Sequence, residues 1–513
     1  LLGLIRGRVY YNLESWYGLY QLIPGYEAAT PAWERMIGLG PDAREAKLRR
    51  STDWRTRFRY APVMFWMGLN LVWRGIWLSR DCQLLDQQVE RACSEAIAES
   101  KAERNPRELV AILDRLYRAI PERFETTVVN DFFVMTSFDT LVRQLSPFNL
   151  EGGPAFANEL VSSNAGLRSV EPVKALLHLV EQVRGEPNLR TLIELGPSDD
   201  VWDRLAVHQE KFHLACCDYL EAFGFRQVEE LKLETTPLTE DPSFLIRALR
   251  NALRSGATIE QFRNRESQTR EAAEERLRMA LRGPTLRSMA VWWSLAWARK
   301  TVSQRESLRM ARAKSFAALR EVFRAFGRAF VRAGALDEID QIFDLTKDEI
   351  INVVMGTAID LDLRAVVTRR QHAYSEFESE PTPSRLVATG LASLRGAAGR
   401  RSAPRSGELL GQGCSPGKVR APARLVLDPS HEEEVAGRIL VARMTDPGWV
   451  FLMLSAAGLV VERGSILSHT AIIGRELGIP TVVGVKGAFA AIKEGAEIEI
   501  DGRTGTVRIF DPD

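Results

Sequence analysis

Two hydrophobic periods divide the chain. From about residue 165 to 355 the pattern is dominantly helical, and its cleanest stretch is Phe316, Leu319, Phe323, Phe326 and Phe330, spaced 3, 4, 3 and 4. That spacing lines one face of a helix, which Gly334 is placed to end. Thr346-Lys347-Asp348-Glu349 then has the Thr and Glu of a capping box opening the next helix. Between them, Asp340 to Leu345 reads as a short extended segment. The first 160 residues mix aromatic-rich helical segments with turns, after an opening strand at Gly7 to Leu13. Beyond Gly413 the period becomes that of strands: Val419 to Val426, Arg438 to Ala442, Gly458 to Val461, Thr481 to Gly484, Glu497 to Ile500 and Gly505 to Ile509, separated by turns bearing Gly, Asp and Pro. Helical pieces are expected near 447–456 and at 470–477.

These periods predict a multidomain protein: a large mainly α-helical region over 1–380, with a division near 160, and a small α/β domain over 414–513. Between them lies 381–413, with Pro381, Pro383, Pro404, five glycines and Arg385, Arg395, Arg400, Arg401 and Arg405. Few large apolar side chains are available to pin it, so it reads as a mobile, basic linker.

Composition narrows the picture modestly. The 513 residues are 45% apolar and 26% charged with a net charge of +1, a globular balance that offers no electrostatic argument for nucleic acid. The five cysteines, Cys82, Cys93, Cys216, Cys217 and Cys414, form no CxxC pair and suit a reducing cytoplasm, the expected location. The apolar run from Tyr60 to Arg74 is interrupted by Pro62 and Asn70 before it reaches the roughly 20 residues of a membrane span. It reads as a buried helix or a hydrophobic interface, and membrane association is not expected.

The chemistry concentrates in Glu462 to Pro480. A buried strand ends at Val461, a glycine-bearing turn follows, and a helix starts around His469 and stops near Gly478-Ile479-Pro480. An imidazole at a helix N-terminus meets free N–H groups and a dipole that favour an anion. Imidazole is also a nucleophile and, once protonated, a leaving group, so it suits phosphoryl relay. On position alone such a histidine is more often a turn residue. No second His or Cys lies nearby in sequence, which argues against a local metal site or a Cys/His dyad.

The segment resembles the mobile phosphohistidine domain of the phosphoenolpyruvate-utilising enzymes. The resemblance runs over Cys414-Ser415-Pro416-Gly417, Thr445-Asp446-Pro447-Gly448-Trp449, Glu462 to Arg475, Gly478 to Gly484, Gly495 and Asp501 to Gly505. It implies a swivelling domain in which His469 is phosphorylated, with Glu462, Gly464, Ser465, Ser468, Thr470 and Arg475 supporting the phosphate or the loop. Two departures are small: Arg463-Gly464-Ser465 replaces the usual paired glycines, and Gly474-Arg475-Glu476 replaces Ala-Arg-Glu.

More weakly, Phe223 to Leu233 and Glu240-Asp241-Pro242 resemble the substrate domain of the rifampin phosphotransferase arrangement, with Phe225 where relatives have His. Arg305-Glu306, Arg309 and Asp344 to Glu349 follow the relatives' order. This makes Arg226, Glu229, Glu230, Arg305 and Arg309 candidate contacts to a substrate, against a reading as capping and packing pairs. The resemblance implies an ATP-dependent phosphotransferase, dikinase-like, with ATP and Mg²⁺ bound at an ATP-grasp domain. Nothing in the chain resembles that domain and no G-x-x-x-x-G-K-[ST] loop is present. It is expected elsewhere in a longer protein, which the Met-less start at Leu1 favours, or on a separate subunit. A small organic molecule would accept the phosphoryl group. The alternatives are a substrate-activating ligase of the prodigiosin-synthase type and a non-catalytic phosphocarrier or partner-binding protein.

Overall fold

The computed structural model describes residues 2–20, 30, 34, 54–120, 125–148, 154–161, 168–226, 229–281, 283–379, 386–388, 394–396, 408–429, 435–466 and 468–510. A hairpin of β1 (Leu2–Ile5) and β2 (Arg8–Tyr11) precedes α1 (Leu13–Tyr20). The helical region continues with α2 (Trp54–Ala102), α3 (Pro106–Ala119), α4 (Glu125–Leu145), α5 (Pro154–Val161), α6 (Glu171–Gly185), α7 (Pro187–Leu195), α8 (Ser198–His208), α9 (Glu210–Phe223), α10 (Ser243–Ser255), α11 (Ile259–Leu281), α12 (Leu286–Arg332), α13 (Lys347–Met355) and α14 (Leu363–Ser379).

The 47-residue α12 organises this region. Its C-terminal half carries Val322, Phe323, Phe326 and Phe330 into a core with α2, α3, α13 and α14, while Val291, Leu295, Ala298 and Val302 of its N-terminal half pack with α4, α5 and α11. Helices before residue 160 therefore share cores with a helix well after it. Gly334, at φ +72°, follows the end of α12, and the Thr346–Glu349 capping box is formed, the Glu349 N–H donating to Thr346 Oγ1 at 3.3 Å.

Two expectations fail in instructive ways. Residues Ile339–Asp344 form a 3-10 helix and not an extended segment. Gln341 Oε1 accepts the Glu338 N–H at 3.2 Å, so local side-chain capping closes a turn where an extended segment was expected. Residues 60–74 belong to α2, which runs through Pro62, and they are not buried: Phe65, Trp66 and Trp73 are each more than 60% exposed, which removes the buried-helix alternative and leaves the hydrophobic interface open. No helix among the described residues is long and apolar enough to cross a membrane.

Most of 381–413 lies outside the described residues. Within it, β3 (Leu386–Ala388) and β4 (Leu394–Gly396) pair as a hairpin, and β5 (Glu408–Leu410) and β6 (Gln412–Ser415) join the C-terminal sheet ahead of residue 414. That sheet continues with β7 (Lys418–Val426), β8 (Ile439–Ala442), β9 (Gly458–Val461), β10 (Thr481–Val483), β11 (Glu497–Asp501) and β12 (Thr506–Phe510), in the order β5-β12-β11-β7-β8-β9-β10-β6. Strands β7 to β10 are parallel neighbours and the outer pairings are antiparallel. The parallel strands β8, β9 and β10 are buried along their whole length, as a sheet covered on both faces requires.

Their alternation then assigns the faces. Ile439, Val441, Val460 and Val482 point into the domain's own core with α17 (Ala488–Ala491), whereas Leu440, Ala442 and Leu459 face α15 (Val450–Met453) and α16 (His469–Glu476). The second core does not stop at the domain. It runs on into Leu245, Ile246 and Leu249 of α10 and the helices α6 to α9, with Phe244 and Phe451 edge-to-face at 5.5 Å. The α/β domain is thus docked on the helical one through its α15–α16 face.

Candidate active site at the docked interface

His469 is the first residue of α16, at the C-terminal end of β9, where open α/β sheets place their ligands. Ser468 is the N-cap, its Oγ accepting the Ala471 N–H at 3.4 Å. The loop ahead of the helix is held at several points. Glu462 accepts the Gly487 N–H at 2.9 Å, and the Ser468 N–H donates to the Ser465 carbonyl at 2.8 Å. A side chain at Gly464 would crowd Ser468 and Val483. The Thr470 hydroxyl bonds that of Thr445. Arg475 is buried and donates to the carbonyls of Ile466, at 3.3 Å, and Cys414, at 3.5 Å. Its guanidinium therefore serves the loop in this docked arrangement. Gly474 lets α16 lie close on β10, because a Cβ there would stand 2.1 Å from Thr481 Oγ1.

The imidazole itself is 3% exposed, and neither ring nitrogen has a hydrogen-bond partner among the described residues. Burial holds its pKa well below the usual 6.5, and the positive charges of Arg309 and Arg226 push in the same direction. The ring is neutral at physiological pH, the state in which a nitrogen lone pair can attack phosphorus. A buried polar group without partners is costly and calls for an explanation.

The helical domain supplies the surroundings. Arg226 and Glu230 form a buried ion pair at 3.0 Å. Burial pushes Glu230 up, against the pull of Arg226, Arg309 and Arg312. On α12, Arg305 pairs with Asp131 at 3.1 Å and Arg309 with the buried Glu306 at 3.5 Å. Arg312, one turn further on, has its Nε buried without an acceptor among the described residues. Glu229 behaves differently from Glu230: its side chain is half-exposed against Lys232, and its backbone N–H donates to Asp446 of the α/β domain at 2.8 Å.

The candidates from the two ends of the sequence thus meet at one interface. His469 lies within electrostatic reach of Arg226 and Arg309, and Glu230 stands beside that pair. Arg305 is held by Asp131 on the same helix face. Sequence reading passed over Arg312 and Asp446 as site residues. The i, i+4, i+7 spacing of Arg305, Arg309 and Arg312 was a usable signal for the first. Asp446 lies within the Thr445–Trp449 motif, but nothing local reveals its partner. No group of three or more His, Cys, Asp or Glu among the described residues is arranged to hold a metal ion.

Residues 435–505 match the PEP-utilising enzyme mobile domain, and residues 123–306 match the rifampicin phosphotransferase fourth domain. A rifampicin phosphotransferase of a Streptomyces species is 31% identical over 366 residues, 69% of this chain and 40% of that protein. An uncharacterized protein of Mycobacterium tuberculosis is 29% identical over 478 residues, covering 92% of this chain and 49% of its own. A prodigiosin synthesizing transferase of Serratia marcescens is 28% identical over 390 residues, covering 72% and 42%. The chain spans at most about half the length of these relatives. The chain thus matches, at the level of the family, the PEP-utilising enzyme mobile domain, with a match to the rifampicin phosphotransferase fourth domain ahead of it.

Proposed function

We propose that this chain is the acceptor-binding and phosphohistidine portion of an ATP-dependent phosphotransferase, with His469 carrying the phosphoryl group. The observation that carries the reading is the buried imidazole of His469, which has no hydrogen-bond partner among the described residues and lies within electrostatic reach of Arg226 and Arg309. In the first half-reaction a ring nitrogen attacks a nucleotide phosphorus; a P–N bond forms and a P–O bond breaks, the electron pair leaving with the nucleotide oxygen. ATP and Mg²⁺ belong to an ATP-grasp domain, in the same protein or on a partner. In the second, the acceptor's oxygen attacks phosphorus, the P–N bond breaks, and the acceptor's proton passes to the departing imidazole nitrogen.

The docked interface suits the second half-reaction. His469 is 3% exposed there, which limits hydrolysis of the carrier. The guanidinium groups of α12 offer charge-assisted bonds to the phosphoryl oxygens, and the Arg312 Nε has no acceptor among the described residues to give up. The acceptor would be a small organic molecule held by the helical domain. Likeness to the prodigiosin synthesizing transferase supports a second outcome, in which phosphorylation activates the acceptor for condensation. Product analysis with an ATP-grasp domain supplied tests the reading: His469→Asn should give neither phosphorylated nor condensed product. Full turnover by that variant would defeat it, and product-free labelling of the wild type would favour a carrier.

A further inference from the structure

The same interface contains a contact whose two ends are 217 residues apart. Asp446 sits between β8 and a 3-10 turn at Pro447–Trp449. Its Oδ1 accepts the Gly448 N–H at 2.9 Å and caps that turn. Its Oδ2 is left for the other domain and accepts the Glu229 N–H at 2.8 Å. Glu229 donates from φ +54°, a left-handed conformation that a non-glycine residue holds only where its surroundings enforce it. The strained residue thus directs its N–H at a carboxylate on the opposite domain.

Both ends of this bond lead directly to His469. On the helical side Glu230, the next residue, pairs with Arg226, whose charge reaches the imidazole. On the mobile side Thr445, the preceding residue, bonds Thr470, the neighbour of His469. The apolar contacts of Phe451 and its neighbours supply adhesion, but they are non-directional. A hydrogen bond between a charged acceptor and a fixed N–H sets register.

We infer that Asp446 is a positioning residue: it latches the mobile domain onto the helical domain in the one register that presents His469 to Arg226 and Arg309. This inference rests on the phosphotransfer reading for its purpose and on docking alone for its test. When the mobile domain leaves for a nucleotide site, the Oδ2 bond breaks and the Oδ1 cap remains. Asp446 therefore serves delivery to the acceptor and not loading of His469.

The test is carbethoxylation of the intact chain with diethyl pyrocarbonate, the rate at each histidine being read by mass spectrometry. His178 and His372, with side chains 55% and 74% exposed, serve as internal references. In the wild type His469 should react at least about tenfold more slowly than these, as a residue closed off by docking. Asp446→Ala should bring His469 toward the reference rate without changing His178 or His372. Asp446→Ser separates the two roles, because a serine retains a cap for Gly448 but is too short to keep the Glu229 bond. It should match Asp446→Ala. Glu229→Gly keeps the N–H and suits positive φ, so His469 should stay protected. A wild-type rate at His469 in Asp446→Ser would reduce the residue to a turn cap and overturn the inference. So would a wild-type His469 as reactive as His178. Labelling of His469 by nucleotide is a separate measurement, and its failure would remove the purpose of the latch while leaving the docking result intact.

Discussion

The guanidinium of Arg475 donates to the carbonyl of Ile466 at 3.3 Å, three residues ahead of the histidine that opens its own helix. A second bond at 3.5 Å reaches Cys414 on β6. One side chain thereby fixes the loop in front of His469 to the edge of the sheet.

Replacing it should consequently act on stability and chemistry together. Arg475→Ala leaves two carbonyls without their donor and should cost about 2–4 kcal/mol. Both bonds leave the one Nη1, so Arg475→Lys, whose ammonium carries its donors on a single nitrogen, should recover part of the loss. Denaturant unfolding checks the stability. The rate of His469 labelling should fall without reaching zero, because the nucleophile itself remains.

Two arginines facing the same cluster should respond in contrasting ways. Arg226→Met strands Glu230, whose side chain is 4% exposed, and should destabilise by about 3–5 kcal/mol. Arg312→Gln removes a guanidinium whose Nε has no acceptor among the described residues and should change stability by about 1 kcal/mol or less. The same substitution should nonetheless slow transfer to the acceptor. Urea midpoints and single-turnover transfer from phosphorylated protein separate the two effects.

Docking should depend on pH through two groups of opposite sign. Burial, with help from Arg309 and Arg226, holds docked His469 well below 6.5. Its contribution is whole above 6.5 and declines as pH falls through that value. Asp446 is pushed up from 3.8 to about 6, by burial first, with Glu230 and Glu229 adding to it against the N–H bonds of Glu229 and Gly448. Arg226 faces the same carboxylate. The Asp446 contribution is whole below 3.8 and is lost as pH rises through about 6. His469→Asn, which retains only the second group, should dock more tightly at about pH 5 than at about pH 7.5, and Asp446→Asn should dock less tightly. Energy transfer between dyes on Leu195→Cys and Leu427→Cys, both exposed positions, reads the domain separation in a Cys217→Ser background.

Much of the α/β domain was legible in the sequence because its information is local. Blocks such as Ile439 to Ala442 and Gly458 to Val461 are uniformly apolar, as buried parallel strands must be. The turn at Gly464 and the stop at Gly478-Ile479-Pro480 bracketed the helix that His469 opens. Strands β5 and β6 escaped notice because they are three and four residues long and are defined by what they pair with. The candidate arginines were legible only as a resemblance. Nothing near Arg305 announces Asp131, 174 residues away, and nothing near Asp446 announces Glu229. At Phe65, Trp66 and Trp73 an aromatic run allowed either a buried helix or a hydrophobic interface, and the exposed rings remove the first.

The most direct test of the account is the chemistry of the labelled residue. With an ATP-grasp domain present, in one chain or as a partner, nucleotide carrying label in the transferred phosphate should label His469. The product should be acid-labile and alkali-stable, as a phosphoimidazole is, and His469→Ala should abolish it while leaving the fold intact. Ser468 and Thr470 flank the histidine and offer hydroxyls to the same phosphate. Label that persists in His469→Ala, or that maps to either hydroxyl with acid-stable chemistry, would contradict the phosphohistidine carrier.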